Sequence, residues 1–329
     1  MKFTTLFLLG ILAGAGQTLA ATAPVYGPQL EGFEYPYPVQ HLNLNSQQQQ
    51  LDMAYLDVPA TKPNGKVALL LHGKNFCAAT WQGSIEALTA AGYRVIAPDQ
   101  IGFCKSSKPK QYQFSFQQLA VNTKALLDKL NIKQVTVMGH SMGGMLATRF
   151  ALLYPNETEQ LVLVNPIGLE DWKALGVPYR TVDQWYQREL NTSAAGIKQY
   201  QLSTYYAGKW RLEFDRWVDM QAGMYKGEGK EQVAWNSALT AEMIFTQPVL
   251  YEFGQLKMPV LLMIGGLTGQ DNPYRPLDAF IHTQANQANT PSEVEFSVVE
   301  NPTALTAALI QAKQAGQPVL IDVAADWCA

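Results

Sequence analysis

Gly139-His140-Ser141-Met142-Gly143 stands between an apolar run at 134–138 and a stretch with helical spacing at 142–153. Strand, G-x-S-x-G, helix is the context of a nucleophile elbow. There the serine sits in a sharp, strained turn, and only small neighbours let the strand and helix approach. Gly139, Gly143 and Gly144 meet that need, so Ser141 is the expected nucleophile. The competing reading is a glycine-rich strand-to-helix turn with an idle serine.

On the N-terminal side, the run 67–71 is fully apolar and 93–97 is apolar but for Arg94, and they end in His72-Gly73 and Pro98-Asp99. Such runs suit strands covered on both faces. Helical spacing at 81–91 and 116–130 alternates with these strands and with 134–138, which predicts a mostly parallel sheet with helices on both sides. Upstream, 39–44 and 51–57 read as a hairpin around the polar segment 46–50, an antiparallel edge with one exposed face. Downstream, a strand at 161–164 is followed by a break in the pattern. From 172 to 248 the spacing is helical, and aromatics such as Trp185, Tyr205, Trp210 and Trp235 are frequent. This reads as a helical cap, about 168–248, over the C-terminal edge of the sheet, most of its rings being core individually. The sheet resumes at 259–264.

A serine attacking an ester needs preorganised donors for the developing oxyanion, each worth about 2.7–4 kcal/mol in other hydrolases. The N–H of Met142, opening the elbow helix, is one expected donor. The loop His72-Gly73-Lys74-Asn75-Phe76 supplies the other, expected to be the N–H of Lys74.

Composition bounds the alternatives. The 329 residues are 47% hydrophobic and 16% charged, enough for a large core, and the net charge of −3 comes with no long basic run. A nucleic-acid surface or a polybasic membrane contact is therefore not expected. Lys2, the apolar stretch 6–15 and Thr18-Leu19-Ala20 match a secretory signal peptide over residues 1–20, with cleavage after Ala20. The apolar stretch is shorter than the roughly 20 residues of a spanning helix, so a periplasmic or secreted protein without a stable membrane span is expected. In an oxidising compartment Cys77 and Cys104, at similar offsets after two predicted strands, either pair or stay as two buried thiols.

Taken as a set, Leu70-Leu71-His72-Gly73, Ala97-Pro98-Asp99 through Gly102-Phe103-Cys104 to Ser106, Gly139-His140-Ser141-Met142-Gly143 and the run from Pro259 to Gly265 resemble the α/β-hydrolase superfamily over about residues 39–265. Among members of that superfamily the chain looks most like cap-bearing serine esterases and epoxide-hydrolase-like enzymes. The resemblance implies an α/β fold, eight strands and mostly parallel, with the cap inserted after the sixth, in a domain spanning 21–265. It implies neighbouring strands ahead of Cys77 and Cys104, which favours a disulfide. It also implies a small-molecule ester substrate, no cofactor and no metal, since a serine nucleophile favours esters over the aspartate chemistry of epoxide and haloalkane hydrolases. Asp99 takes a structural role in its turn, His140 packs away from Ser141, and His72 fixes its own loop.

The C-terminal part of the fold reads as missing or replaced. The implied triad acid falls on Thr268, with Asp271 further along, and no Gly-His pair follows for the base. His282 lies in a segment without the usual glycine or proline and reads as a linker histidine, the linker being 266–300. A strand at 294–299 and a helix at 303–315 are expected. The tail 301–329, with Gly316-Gln317-Pro318-Val319-Leu320-Ile321-Asp322 and Ala325-Asp326-Trp327-Cys328, resembles the start of the thioredoxin-like domain of thiol:disulfide interchange proteins. Without a second thiol, Cys328 cannot run dithiol exchange. A fusion junction near 265–269 is expected, with the tail separate from the body. The readings are an impaired ester hydrolase, a catalytically inactive hydrolase-fold protein and, weakest, a redox protein.

Overall fold

The computed structural model describes residues 24–206, 208–264 and 319–322. β1 (Val39–Ser46) and β2 (Gln49–Val58) form the hairpin, in register from Val39 opposite Leu56 to Ser46 opposite Gln49. The turn residues Gln47 and Gln48 have φ of 50° and 61°, the left-handed pair that a two-residue hairpin turn requires. Two hydrogen bonds between the Gln47 amide and the Gln113 backbone, 2.9 and 2.8 Å, hold this costly conformation without glycine.

Behind the hairpin come β3 (Val67–Leu71), β4 (Arg94–Pro98), β5 (Val135–His140), β6 (Thr158–Val164), β7 (Val260–Ile264) and β8 (Val319–Asp322). The sheet order is β1-β2-β4-β3-β5-β6-β7-β8, antiparallel at its first two pairings and parallel thereafter. Alternation along the apolar runs explains their composition. Leu69, Leu71, Leu161 and Leu163 enter one core, whereas Ala68, Leu70, Val162 and Val164 enter the other. A fully buried leucine contributes about 1.5–3 kcal/mol, so strands with both faces covered are mostly apolar, and the buried polar Thr136 and Gln160 lie within hydrogen-bonding distance of each other.

The helices α1 (Gln82–Ala90), α2 (Phe116–Lys129) and α3 (Met142–Leu153) connect the strands. Ile85 of α1 packs on one face, and Leu119, Leu126 and Phe150 of α2 and α3 on the other. Between β6 and β7 lie α4 (Val182–Leu190), α5 (Ala194–Thr204), α6 (Asp215–Met224) and α7 (Lys230–Thr246), with no strand among them in the described residues. Thr181 and Gln184 start α4 with a reciprocal capping box. Met224 and Met243 join the same core as the elbow helix, which seats the cap on the sheet.

At the far edge the structure differs from the expectation of a separate tail. Residues 319–322 form β8 and pair in parallel with β7, from Leu261 opposite Val319 to Ile264 opposite Asp322. An unpaired β7 would leave a row of free backbone donors and acceptors, and an apolar β-branched segment satisfies it whatever its origin. The expected signal peptide 1–20, the linker 266–300, the strand at 294–299, the helix at 303–315, Thr268, Asp271, His282 and Cys328 lie outside the described residues.

Cys77 and Cys104 form a disulfide, Cα atoms 5.9 Å apart, between the loops after β3 and β4. Those strands are parallel neighbours, which brings the two offsets together. The bridge spans 27 residues of chain, for which the loop-entropy model gives about 3.5 kcal/mol. The double variant Cys77→Ser/Cys104→Ser is therefore expected to lose roughly that much in urea unfolding. An unchanged midpoint, or two free thiols titrated in oxidised wild type, would contradict it.

Candidate active site

β5 ends at His140 and α3 begins at Met142, so Ser141 occupies the corner between them, with φ 53° and ψ −121°. A non-glycine residue there is strained and must be held by its surroundings. The Ser141 N–H donates to Val164 O at 3.2 Å, and its carbonyl accepts from the N–H groups of Gly144 (2.9 Å) and Ile167 (3.2 Å). A Cβ on Gly139 would stand 2.1 Å from Gly143 O. One on Gly144 would stand 2.5 Å from Pro166 Cβ. Close packing of strand against helix is thus what fixes the corner.

The loop after β3 lies directly against it. A Cβ on Gly73 would come within 3.1 Å of Ser141 Cβ, and the Phe76 N–H donates to Gly73 O at 3.1 Å to close a turn with Lys74 and Asn75 at its centre. Met142 follows the serine as the first residue of α3, where backbone N–H groups lack intrahelical partners. The three expected site residues, Ser141, Met142 and Lys74, are therefore gathered on two adjoining segments.

The histidines near the corner are otherwise engaged. His72 is fully buried, with Nδ1 at 2.8 Å from Gly73 O and Nε2 accepting from the Gln100 N–H at 3.0 Å. That pattern requires the neutral tautomer with hydrogen on Nδ1, and burial lowers its pKa, partly opposed by Asp99. The ring of His140 lies among Phe76, Trp81 and Tyr205, with centroids 5.7, 6.3 and 6.0 Å away. Burial first, then the nearby His72, pushes its pKa down to about 4, too low for a general base near neutrality. His41 sits on the far hairpin, Nδ1 2.7 Å from Asp52. Asp99 is fully buried and holds its turn, accepting from the Ala78 N–H at 2.8 Å, Tyr35 OH at 2.7 Å and the Lys105 N–H at 3.1 Å. Its carboxylate adjoins the two cysteine sulfurs, but sulfurs joined to each other offer no thiolate to a metal.

No spacing in the sequence joins Lys74 to the cap, yet its side chain crosses to it. Nζ lies 3.0 Å from Glu189 Oε1 of α4 and donates to Ser237 Oγ of α7 at 2.6 Å, while Tyr225 OH donates to Glu189 Oε2 at 2.6 Å. Burial raises the Glu189 pKa, but Lys74 and these hydrogen bonds outweigh it and hold the carboxyl below its usual range. With a lowered folded pKa, this contribution is fully present above the unfolded value near 4.5 and is lost as pH falls through the folded one. Glu189→Gln is expected to cost about 3 kcal/mol in urea unfolding at pH 7, because Lys74 stays buried without its partner. The double variant with Lys74→Met should recover much of that loss. Equal losses in the single and double variants would show that the pair is not coupled.

The match to known proteins agrees with this geometry. Residues 67–279 match the family model for the alpha/beta hydrolase fold, and the chain belongs to that family. It is similar to the crystal structure of a probable hydrolytic enzyme from Pseudomonas aeruginosa PAO1, with 58% identity, a TM-score of 0.75, and coverage of 90% of this chain and 99% of that one. It is 38% identical over 108 residues to 2-hydroxy-6-oxo-6-phenylhexa-2,4-dienoate hydrolase of Burkholderia cepacia, covering 32% of this chain and 38% of that protein. A haloalkane dehalogenase of Mycolicibacterium paratuberculosis is 31% identical over 134 residues, 40% of this chain and 44% of the relative. The chain thus spans less than half the length of these two curated relatives. No helix among the described residues is long and apolar enough to cross a membrane.

Proposed function

We propose that Ser141 is the nucleophile of an ester-type hydrolysis that runs through an acyl-enzyme, with the N–H groups of Met142 and Lys74 receiving the oxyanion. The observation that carries this reading is the strained φ of 53° at Ser141, held between close-packed glycines beside the Gly73–Lys74 loop. A corner so costly is maintained where chemistry needs the hydroxyl displayed. The substrate is a small-molecule ester, and no cofactor enters the step. A serine-directed fluorophosphonate tests the assignment: wild type is labelled and Ser141→Ala is not. Absence of labelling in both would favour the reading of an inactive hydrolase-fold protein.

That second reading has its own support, since His41, His72 and His140 are each committed elsewhere. Of the four histidines only His282 is left, and it has no flanking motif of the family. Turnover in this chain is accordingly proposed to be impaired. The buried disulfide supports export to the periplasm or beyond, where such bonds persist. The likeness of 301–329 to the start of a thioredoxin-like domain stands as a proposal for the origin of the tail, with Cys328 redox-incompetent alone.

A further inference from the structure

Lys108 is 4% exposed and stands in the loop between β4 and α2. Its Nζ donates to Cys104 O at 2.6 Å and Ser106 O at 3.3 Å, so one N–H of the ammonium is left over. Among the described residues no carboxylate pairs with it, whereas the nearby Lys74 is matched by Glu189. The position is built rather than incidental. The Lys108 carbonyl accepts from Gln232 Nε2 and the Pro109 carbonyl from Asn236 Nδ2 at 3.2 Å, which fastens the loop to α7.

Lys108 and Lys74 line one cavity between the oxyanion loop and the cap, together with Asn75, Gln221, Tyr225 and Ser237. Its free space is about 40 Å³, room for about three waters at ~10–15 Å³ each, or for one carboxylate group. Lys74 is neutralised by Glu189, whereas Lys108 makes no ion pair among the described residues and has Asp99 and Glu31 only beyond ion-pair distance. A buried ammonium beside a cavity lined mainly by apolar groups, Phe76, Phe103, Met220, Met224 and Val233 among them, is costly without a counter-ion, and a bound anion removes that cost. Burial, partly opposed by Asp99 and Glu31, pushes the Lys108 pKa down to about 7, the direction expected of an ammonium without an anion.

We propose that this cavity binds a small monovalent anion at Lys108, and that the anion is a carboxylate carried by the substrate. Lys74 belongs both to the cavity and to the loop that lies against Ser141, and that shared loop is what relates the anion site to an ester held at the serine. The substrate class becomes half-esters of dicarboxylic acids and similar anionic esters. The placing of the ester bond rests on the reading of Ser141 given above, but the anion site does not.

Binding to the full chain measured by calorimetry separates the two, using monomethyl glutarate, dimethyl glutarate and sodium chloride as probes with wild type, Lys108→Met and Lys108→Arg. Monomethyl glutarate is expected to bind wild type 10- to 100-fold more tightly than Lys108→Met, the range of one charge-assisted hydrogen bond in a buried site. Lys108→Arg should keep most of the affinity, and dimethyl glutarate should not distinguish the variants. Lys108→Met fills the same volume but leaves the carbonyls of Cys104 and Ser106 without their donor, so its thermal midpoint is measured first and Lys108→Arg, which keeps donors there, serves as the folded control. Chloride that binds wild type as tightly as the half-ester would overturn the substrate assignment and leave an inorganic anion as occupant. Equal half-ester affinity in wild type and Lys108→Met overturns the site itself. Lys108-dependent binding without fluorophosphonate labelling would instead remove the hydrolytic reading and keep the site.

Discussion

Gly143→Ala is expected to prevent the chain from accumulating as folded, soluble protein. The added Cβ would stand 2.0 Å from the carbonyl oxygen of Leu71 and 2.7 Å from that of His72. Neither atom can rotate away, because both belong to backbone. Leu71 closes β3 and is paired with Gly139 of β5, so moving its carbonyl means shifting the central strand or lifting α3 off the sheet. Overpacking an ordinary core by a methyl costs about 1–3 kcal/mol when side chains can adjust, and here the obstacle is rigid. Since a domain has only about 5–15 kcal/mol of stability, the variant loses a large share of it. Gly83→Ala makes the control. Gly83 lies in α1 with nothing within 4 Å of the new methyl, so that change should stabilise by roughly 0.5–1 kcal/mol through helix propensity. Expression yield and thermal unfolding of the two variants decide the matter. A Gly143→Ala protein that melts with wild type would show that α3 does not approach β3 as described.

The same elbow shows what was legible in advance. Gly139, Gly143 and Gly144 flank a serine between strand-like and helix-like periodicities, and those local signals suffice to place Ser141 at the corner. The apolar runs at 67–71 and 161–164 were readable because burial on two faces leaves no alternation, and the hairpin because one exposed face restores it. The contacts of Lys74 were not readable. Its partners Glu189 and Ser237 come from two helices of the cap, with Tyr225 holding Glu189 from a third place, and no period relates position 74 to 189 or 237. Lys108 is hidden for a similar reason: within Lys105-Ser106-Ser107-Lys108 it looks like any solvated loop lysine, and only the packing of α7 over that loop buries it. The pairing of β8 was not readable, because nothing within 319–322 names the open edge of β7 as its partner.

Hydrolysis of p-nitrophenyl acetate by this chain is expected to be slow but measurable. A serine hydroxyl is barely ionised near pH 7 and attacks only when a base takes its proton during the step. His72 has both ring nitrogens engaged, His140 has its pKa pushed down to about 4, and His41 pairs with Asp52 on the hairpin. In other serine hydrolases, loss of a triad member leaves about 10³–10⁴-fold acceleration over water from oxyanion stabilisation and binding, with most of the rate gone. Turnover of that small size is the expected result, falling further in Ser141→Ala because the proposed acyl-enzyme route would be closed. Substituting His140 by Asn should change the rate only modestly, since a ring packed among Phe76, Trp81 and Tyr205 orients the corner without carrying a proton. The informative variant is His282→Ala, which should leave the slow rate unchanged. Fast turnover that collapses in His282→Ala would overturn the prediction, because the proton from Ser141 would then be passing to a base supplied from beyond β7.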